Sequence, residues 1–299
     1  MINYDSIFED TDYFVQQFET GKIKISSLNY YLEQNETKIW FLPKPISFNE
    51  VDTENYKSFK KIAFISKKIF ETIQSPLDLL AEDILIIQDV FAVKKEELNI
   101  DETLIGDLKV YNSIVHQKVD VFKEEDNLYQ LDVIEIADNS LVAPDISVGF
   151  YFLLETSSDF DLKFGNRFTT VLEVLKSAGI GAERSTMGQI SDISIENDWN
   201  IQITTPHETA ALSVSMIHPN GETSKIVYAQ TALRGGRVIG GRKRLKVVRM
   251  LSEGAIVEKD IKGHIVDIAP KDWDGVPFLR NGKAITLDVN KKWFEHEQE

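Results

Sequence analysis

The chain has 299 residues, a formal net charge of −15 and no cysteine. That charge argues against indiscriminate binding to polyanions, which needs surplus lysine and arginine, and the missing thiols exclude disulfides and thiolate metal sites. The 42% apolar content is enough for one large or two smaller cores, while no apolar run approaches the ~20 residues of a membrane span and no signal-peptide pattern is visible, so a cytoplasmic protein is expected.

In chain order, Phe14, Phe18 and Ile23 predict a helix within 12–32 that breaks at Gly21 and continues as loop. Residues 39–46 read as a strand stopped by Pro43 and Pro45. Residues 55–73 mix lysines with Phe59, Ile62, Phe64, Ile69 and Phe70 and fit one helix or two; 77–91 read as partly helical. Strict alternation in 110–122 and 128–137, around the polar turn 123–127, predicts a long hairpin. Residues 148–155 are continuously apolar and read as a buried central strand. Asn166 is a candidate N-cap for a helix whose apolar face is Phe168, Val171, Leu172, Leu175 and Ala178, with Gly179 at its exit. Beyond it, 189–196, 200–206, 211–217 and 245–251 read as strands, and 255–269 and 276–289 as hairpins around Lys262-Gly263 and Asn281-Gly282. The break in texture near 197–200 suggests domains of 1–198 and 199–299.

Two stretches carry chemistry. The first, GIGAERSTMG at 179–188, offers glycines that let backbone N–H groups approach a phosphate, with Arg184 and Ser185 adding charge and a hydroxyl. It follows a helix rather than opening one, so it is neither a Walker loop nor a dinucleotide fingerprint, and taken in isolation it reads first as a plain helix-to-strand turn. The second is charge asymmetry. From Thr223 to Ser252 there is no acid and there are eight bases, so this window carries +8 and the remainder −23. Within it, Arg234, Arg237, Arg242, Lys243 and Arg244 surround two glycine pairs at 234–249, a composition suited to following a phosphate backbone, to an acidic protein, or to water alone. The five histidines lack metal-ligand spacing, Asp272-Trp273-Asp274-Gly275 lacks the rest of a calcium loop, and Ser185 has no nucleophile-elbow context; nothing requires catalysis, a metal or a cofactor.

The order of IWFLPKPI (39–46), GFYFLLE (149–155), a helix, GIGAERSTMGQI (179–190) and the blocks RMLSEGAIV, GHIVDIAP and GVPFLRNGKAITLDV (249–289) resembles CRISPR RAMP proteins. The nearest resemblance is to the family of fourth subunits of Csm (type III-A) effector complexes. It implies an α+β fold of two ferredoxin-like, RRM-related domains, the first lacking the family's opening strand and helix. It also implies a non-catalytic subunit that binds the repeat-derived 5′ tag of crRNA and docks the large polymerase-like signature subunit and the adjacent backbone RAMP subunit. Carried onto this chain, the RNA contacts are Gly179, Gly181, Arg184 and Ser185 in the glycine-rich loop, and His116 and Lys118 in the inserted hairpin at about 110–137. Lys44 in the LPKP segment and the basic loop complete the set. The family's usual Gly-Lys-Arg is Ala182-Glu183-Arg184 here, one base fewer. Tyr111, Phe122 and Tyr228 are candidate base-stacking platforms. Two other readings stay open: a crRNA-processing endoribonuclease using His116, and a scaffold that never touches RNA.

Overall fold

Two-residue periodicity dominates the chain and strands dominate the fold. A computed structural model, describing residues 7–50, 56–120, 127–158, 162–181, 188–197, 199–236, 243–275 and 277–297, is a mixed α+β protein built mostly from sheet. Contacts divide it into a first unit of Met1–Ser27, Leu153–Gln202 and Ser213–Leu287 and a second of Leu28–Phe152, Ile203–Leu212 and Asp288–Glu299. Neither is continuous in sequence, so a single cut near 198 does not separate them.

The second unit contains a six-stranded sheet. Its strands are β2 (Asn29–Gln34), β3 (Thr37–Pro43), β4 (Phe64–Ser66), β5 (Ile84–Ile87), β6 (Phe91–Lys94) and β9 (Ile146–Tyr151), in the order β5-β6-β4-β3-β2-β9. All neighbours are antiparallel except β4 and β6. A parallel pair needs a crossover, and here the segment 67–90 between them supplies it. Residues expected to be helical therefore divide. The stretch 55–73 holds two short helices, Tyr56–Lys61 and Lys67–Thr72, with β4 between them, and 77–91 holds most of a 3₁₀ turn at Pro76–Leu80, then β5, a turn and the start of β6. The isoleucine-rich run Ile84–Ile87 favours the pleated backbone, where branched side chains lose least freedom. The stretch after Gly21 is likewise strand rather than loop.

One sheet face buries Tyr30, Leu32, Ile39, Phe41, Phe91 and Val93 in a core extended by Leu98, Leu108, Val110 and Ile146. Burying each such side chain contributes roughly 1.5–3 kcal/mol. On the other face Trp40 packs its ring 5.4 Å from Tyr31 and 4.8 Å from Tyr151. Gly149 stands opposite Tyr31 in register, and a Cβ there would lie 2.4 Å from the tyrosine Cζ, so the ring occupies the space a side chain would need. The expected central strand at 148–155 is instead an edge strand among the described residues. The apolar run is real but split, since β9 ends at Tyr151 and β10 (Leu154–Thr156) takes a different partner. The predicted hairpin is present as β7 (Tyr111–Asp120) and β8 (Asn127–Ile136), paired over ten positions from Tyr111↔Ile136 to Asp120↔Asn127.

In the first unit, α-helix Thr11–Glu19 starts at Asp10, whose carboxylate accepts from the Tyr13 amide. Its buried Phe14 and Phe18 meet Phe164 of the long helix Leu162–Ala178 at ring distances of 5.7 and 6.3 Å. That helix begins one turn before Asn166, which lies within it and whose carbonyl accepts from Thr170 Oγ1. Arg167 and Asp10 supply the tie instead, 3.3 Å apart. β1 (Ile23–Ile25) pairs antiparallel with β10.

The C-terminal hairpins are corrected. β15 (Ile256–Glu258) pairs with β12 (Ile226–Tyr228), and β16 (Val266–Asp267) with β17 (Leu279–Arg280). The turn glycines serve a close crossing. Gly263, at φ 60°, bridges to Lys283, and a Cβ on it would meet the Gly282 carbonyl oxygen at 2.1 Å. Residues 189–196 and 200–205 are not strand; β11 starts at Pro206 and ends at Ser213, and beside it in the sheet runs β18 (Thr286–Asn290).

Candidate nucleic-acid interface

The basic loop grows out of a two-stranded ribbon. β13 (Thr231–Arg234) and β14 (Val248–Leu251) pair antiparallel, with Arg234 opposite Val248 and Leu233 opposite Arg249. Backbone bonds hold the loop near its base: Leu245 N donates to Gly236 O at 3.0 Å and Lys246 N to Ile268 O at 2.8 Å. Arg234, Lys243, Arg244, Lys246 and Arg249 are all exposed. Their described bonds go to neutral groups: Arg234 Nε to Met216 Sδ, Lys243 Nζ to Asp272 O, and Arg249 to Thr231 Oγ1. No carboxylate pairs with these five among the described residues. Lys225, by contrast, is spent on Asp260 at 2.8 Å and Glu222 at 3.3 Å, so the charge available in this window is smaller than the sequence count.

A cation outside that window joins them. Arg280, at the end of β17, donates to Gly235 O at 3.3 Å, and its Nε is buried without a partner. Burial, and then the nearby Arg234 charge, push its guanidinium below the usual range. It lines a groove of about 200 Å³ with Ser26, Ser27, Met216, Met250 and Asn281. Arg280 lies beyond the acid-free window that ends at Ser252; its only local sign in the sequence is its place before the Asn281-Gly282 turn.

The glycine-rich stretch is a helix exit, as one reading held. Gly179 is buried at φ 70° and its amide donates to Leu175 O at 2.8 Å; Gly181 is exposed at φ 87°. Ile180 N donates to Gly188 O and Ile190 N returns to Lys176 O, which closes the loop. Arg184, Ser185, Arg237 and Arg242 lie outside the described residues, as does Phe122. Gly179, Gly181, Arg234, Lys243 and Arg244 thus belong to one unit.

Lys44, His116, Lys118 and Tyr111 belong to the second unit, and Tyr228 to the first. Lys44 does not present its charge to solvent. It is 5% exposed, its ammonium donates to Phe59 O at 2.9 Å and lies 4.4 Å from the Phe59 ring centre, and burial pushes its pKa down to about 8. The Pro-Lys-Pro context placed it at a strand end, where the chain turns inward. His116, on β7 opposite Leu131, is half-buried with an unpartnered Nε2; Lys118 stands opposite Tyr129. Tyr111 is no open platform, for it stacks on Tyr30 at 5.8 Å, and Tyr228 is half-buried. Among the described residues no group of His, Asp and Glu is arranged to hold a metal, and no helix is long and apolar enough to cross a membrane.

Likeness to known proteins extends over most of the chain. The chain is 23% identical over 315 aligned residues to the CRISPR system Cms protein Csm4 of Methanocaldococcus jannaschii, which covers 91% of this chain and 80% of that one. Its fold is similar to a chain in the crystal structure of the Csm3-Csm4 subcomplex of the type III-A CRISPR-Cas interference complex. The TM-score there is 0.66, with 20% identity and coverage of 96% and 90%. A chain of the Csm1-Csm4 cassette in complex with AMPPNP gives a TM-score of 0.54, with 17% identity and coverage of 96% and 87%. Residues 207–289, which hold all but the first residue of β11, β12 to β17, the basic ribbon and Arg280, match the CRISPR Csm4 C-terminal domain, and the chain is similar over most of its length to Csm4 proteins.

Proposed function

We propose that the chain is a non-catalytic RAMP subunit of a type III-A CRISPR-Cas effector complex, with two ferredoxin-like domains, that holds the 5′ tag of crRNA. It docks the large signature subunit and the neighbouring backbone RAMP subunit, in keeping with relatives solved as Csm3-Csm4 and Csm1-Csm4 assemblies. The observation that carries the RNA contact is the set of five exposed cations around the β13–β14 ribbon, none facing a carboxylate among the described residues, on a chain of net charge −15. Uncompensated cations on one face attract phosphate while the acidic remainder repels stray polyanions.

Purification of the tagged chain from its host tests this. Short RNAs sharing one repeat-derived 5′ end are expected in the eluate, together with a large subunit and a second RAMP protein. An eluate with those proteins and no RNA sinks the RNA assignment.

A further inference from the structure

We infer that the groove beside Arg280 is a subsite for a single phosphate of the bound RNA; this rests on the RNA-binding reading above. Consider which polar atoms remain unspent there. Ser26 Oγ donates to Ser27 O and accepts from Leu153 N. Ser215 Oγ donates to Lys283 O and accepts from Ile285 N. Asn281 Oδ1 accepts from Lys283 N, and no described bond uses its amide nitrogen. The Arg280 Nε is buried with no partner among the described residues. The lining holds no carboxylate. A groove that presents a guanidinium and an amide nitrogen and holds no carboxylate is complementary to an anion.

Two further facts make that anion a phosphodiester. Arg234 is close enough to disfavour the Arg280 charge, a like-charge pairing that an intervening anion relieves. Arg280 also donates to Gly235 O, which ties the groove to the foot of the β13–β14 ribbon. Met216 and Met250 supply apolar wall beside the contact.

The test uses the full chain and short single-stranded RNAs, each carrying one uncharged methylphosphonate linkage. Wild type is expected to lose affinity about tenfold at one linkage, the effect of a lost charge-assisted hydrogen bond. Arg280→Gln is expected to bind unmodified RNA about tenfold more weakly and to be indifferent to that same linkage. Arg280→Lys should recover part of the loss. Arg280→Gln also loses the bond to Gly235 O, so its melting temperature does not decide the matter; a variant as sensitive to that one neutral linkage as wild type overturns the proposal. If RNA binds but every neutral linkage weakens wild type and Arg280→Gln equally, the subsite is overturned and the RNA-binding reading survives. Weakened binding of a partner protein with RNA affinity unchanged assigns the groove to a carboxylate and also overturns it. Wild-type protein that binds no RNA overturns both.

Discussion

Replacing Arg234, Lys243 and Arg244 together by glutamate is expected to lower affinity for single-stranded RNA by at least about 100-fold near 0.1 M salt. It should also flatten the salt dependence by roughly 0.7 decade per decade for each phosphate that is no longer neutralised. The three side chains are exposed and have no carboxylate partners among the described residues, so their removal strands no buried charge. The melting temperature should therefore stay close to wild type. Lys225→Glu is the control from the same basic window. Lys225 is already committed to Asp260 and Glu222, so its reversal should cost stability and leave the RNA salt slope unchanged. Binding isotherms at several salt concentrations, beside thermal melts, measure both quantities.

Lys44 gives the second large effect, and it concerns stability rather than binding. Its folded pKa of about 8 lies below the unfolded value of 10.5. Below pH 8 both states hold the proton and the burial penalty is present in full. Between pH 8 and 10.5 the unfolded chain keeps a proton the folded chain has released, so stability rises with pH. The gain is about 2 kcal/mol once partial solvent screening is allowed for. The neutral amine still donates to the Phe59 carbonyl, so the hydrogen bond survives. Lys44→Met carries no proton and should lack this rise. Denaturant melts of both proteins from pH 7.5 to 10.5 isolate the effect, because the other lysines are common to both; parallel curves would show that Lys44 is not the buried cation described here.

Lys44 also shows where reading the sequence fails. A lysine between two prolines at a strand end is a reasonable surface cation, and nothing in IWFLPKPI reveals that Phe59, fifteen residues on, will offer it a carbonyl and a ring. The long hairpin was legible because two alternating runs on either side of a polar turn have few other solutions. The helix ending at Ala178 was legible from its apolar stripe and Gly179, although its start was misplaced: Asn166 is a good cap in isolation, but burial of Phe164 against Phe14 and Phe18 extends the helix a turn earlier. The C-terminal hairpins failed for a different reason. Lys262-Gly263 and Asn281-Gly282 have the chemistry of tight turns, yet they meet each other across the Gly263–Lys283 bridge, and the flanking strands take partners distant in sequence. The basic loop could be found by counting charge. Arg280 could not, because its importance comes from lying beside Gly235, forty-five residues away in the chain.

The central claim is that RNA lies along the basic face of the first unit. Ultraviolet crosslinking of bound RNA to the full chain, followed by mass spectrometry of the crosslinked peptides, tests it most directly. Crosslinks are expected in peptides spanning 231–251 and 279–283. Crosslinks confined to the β7–β8 hairpin, with none in those two stretches, would contradict it.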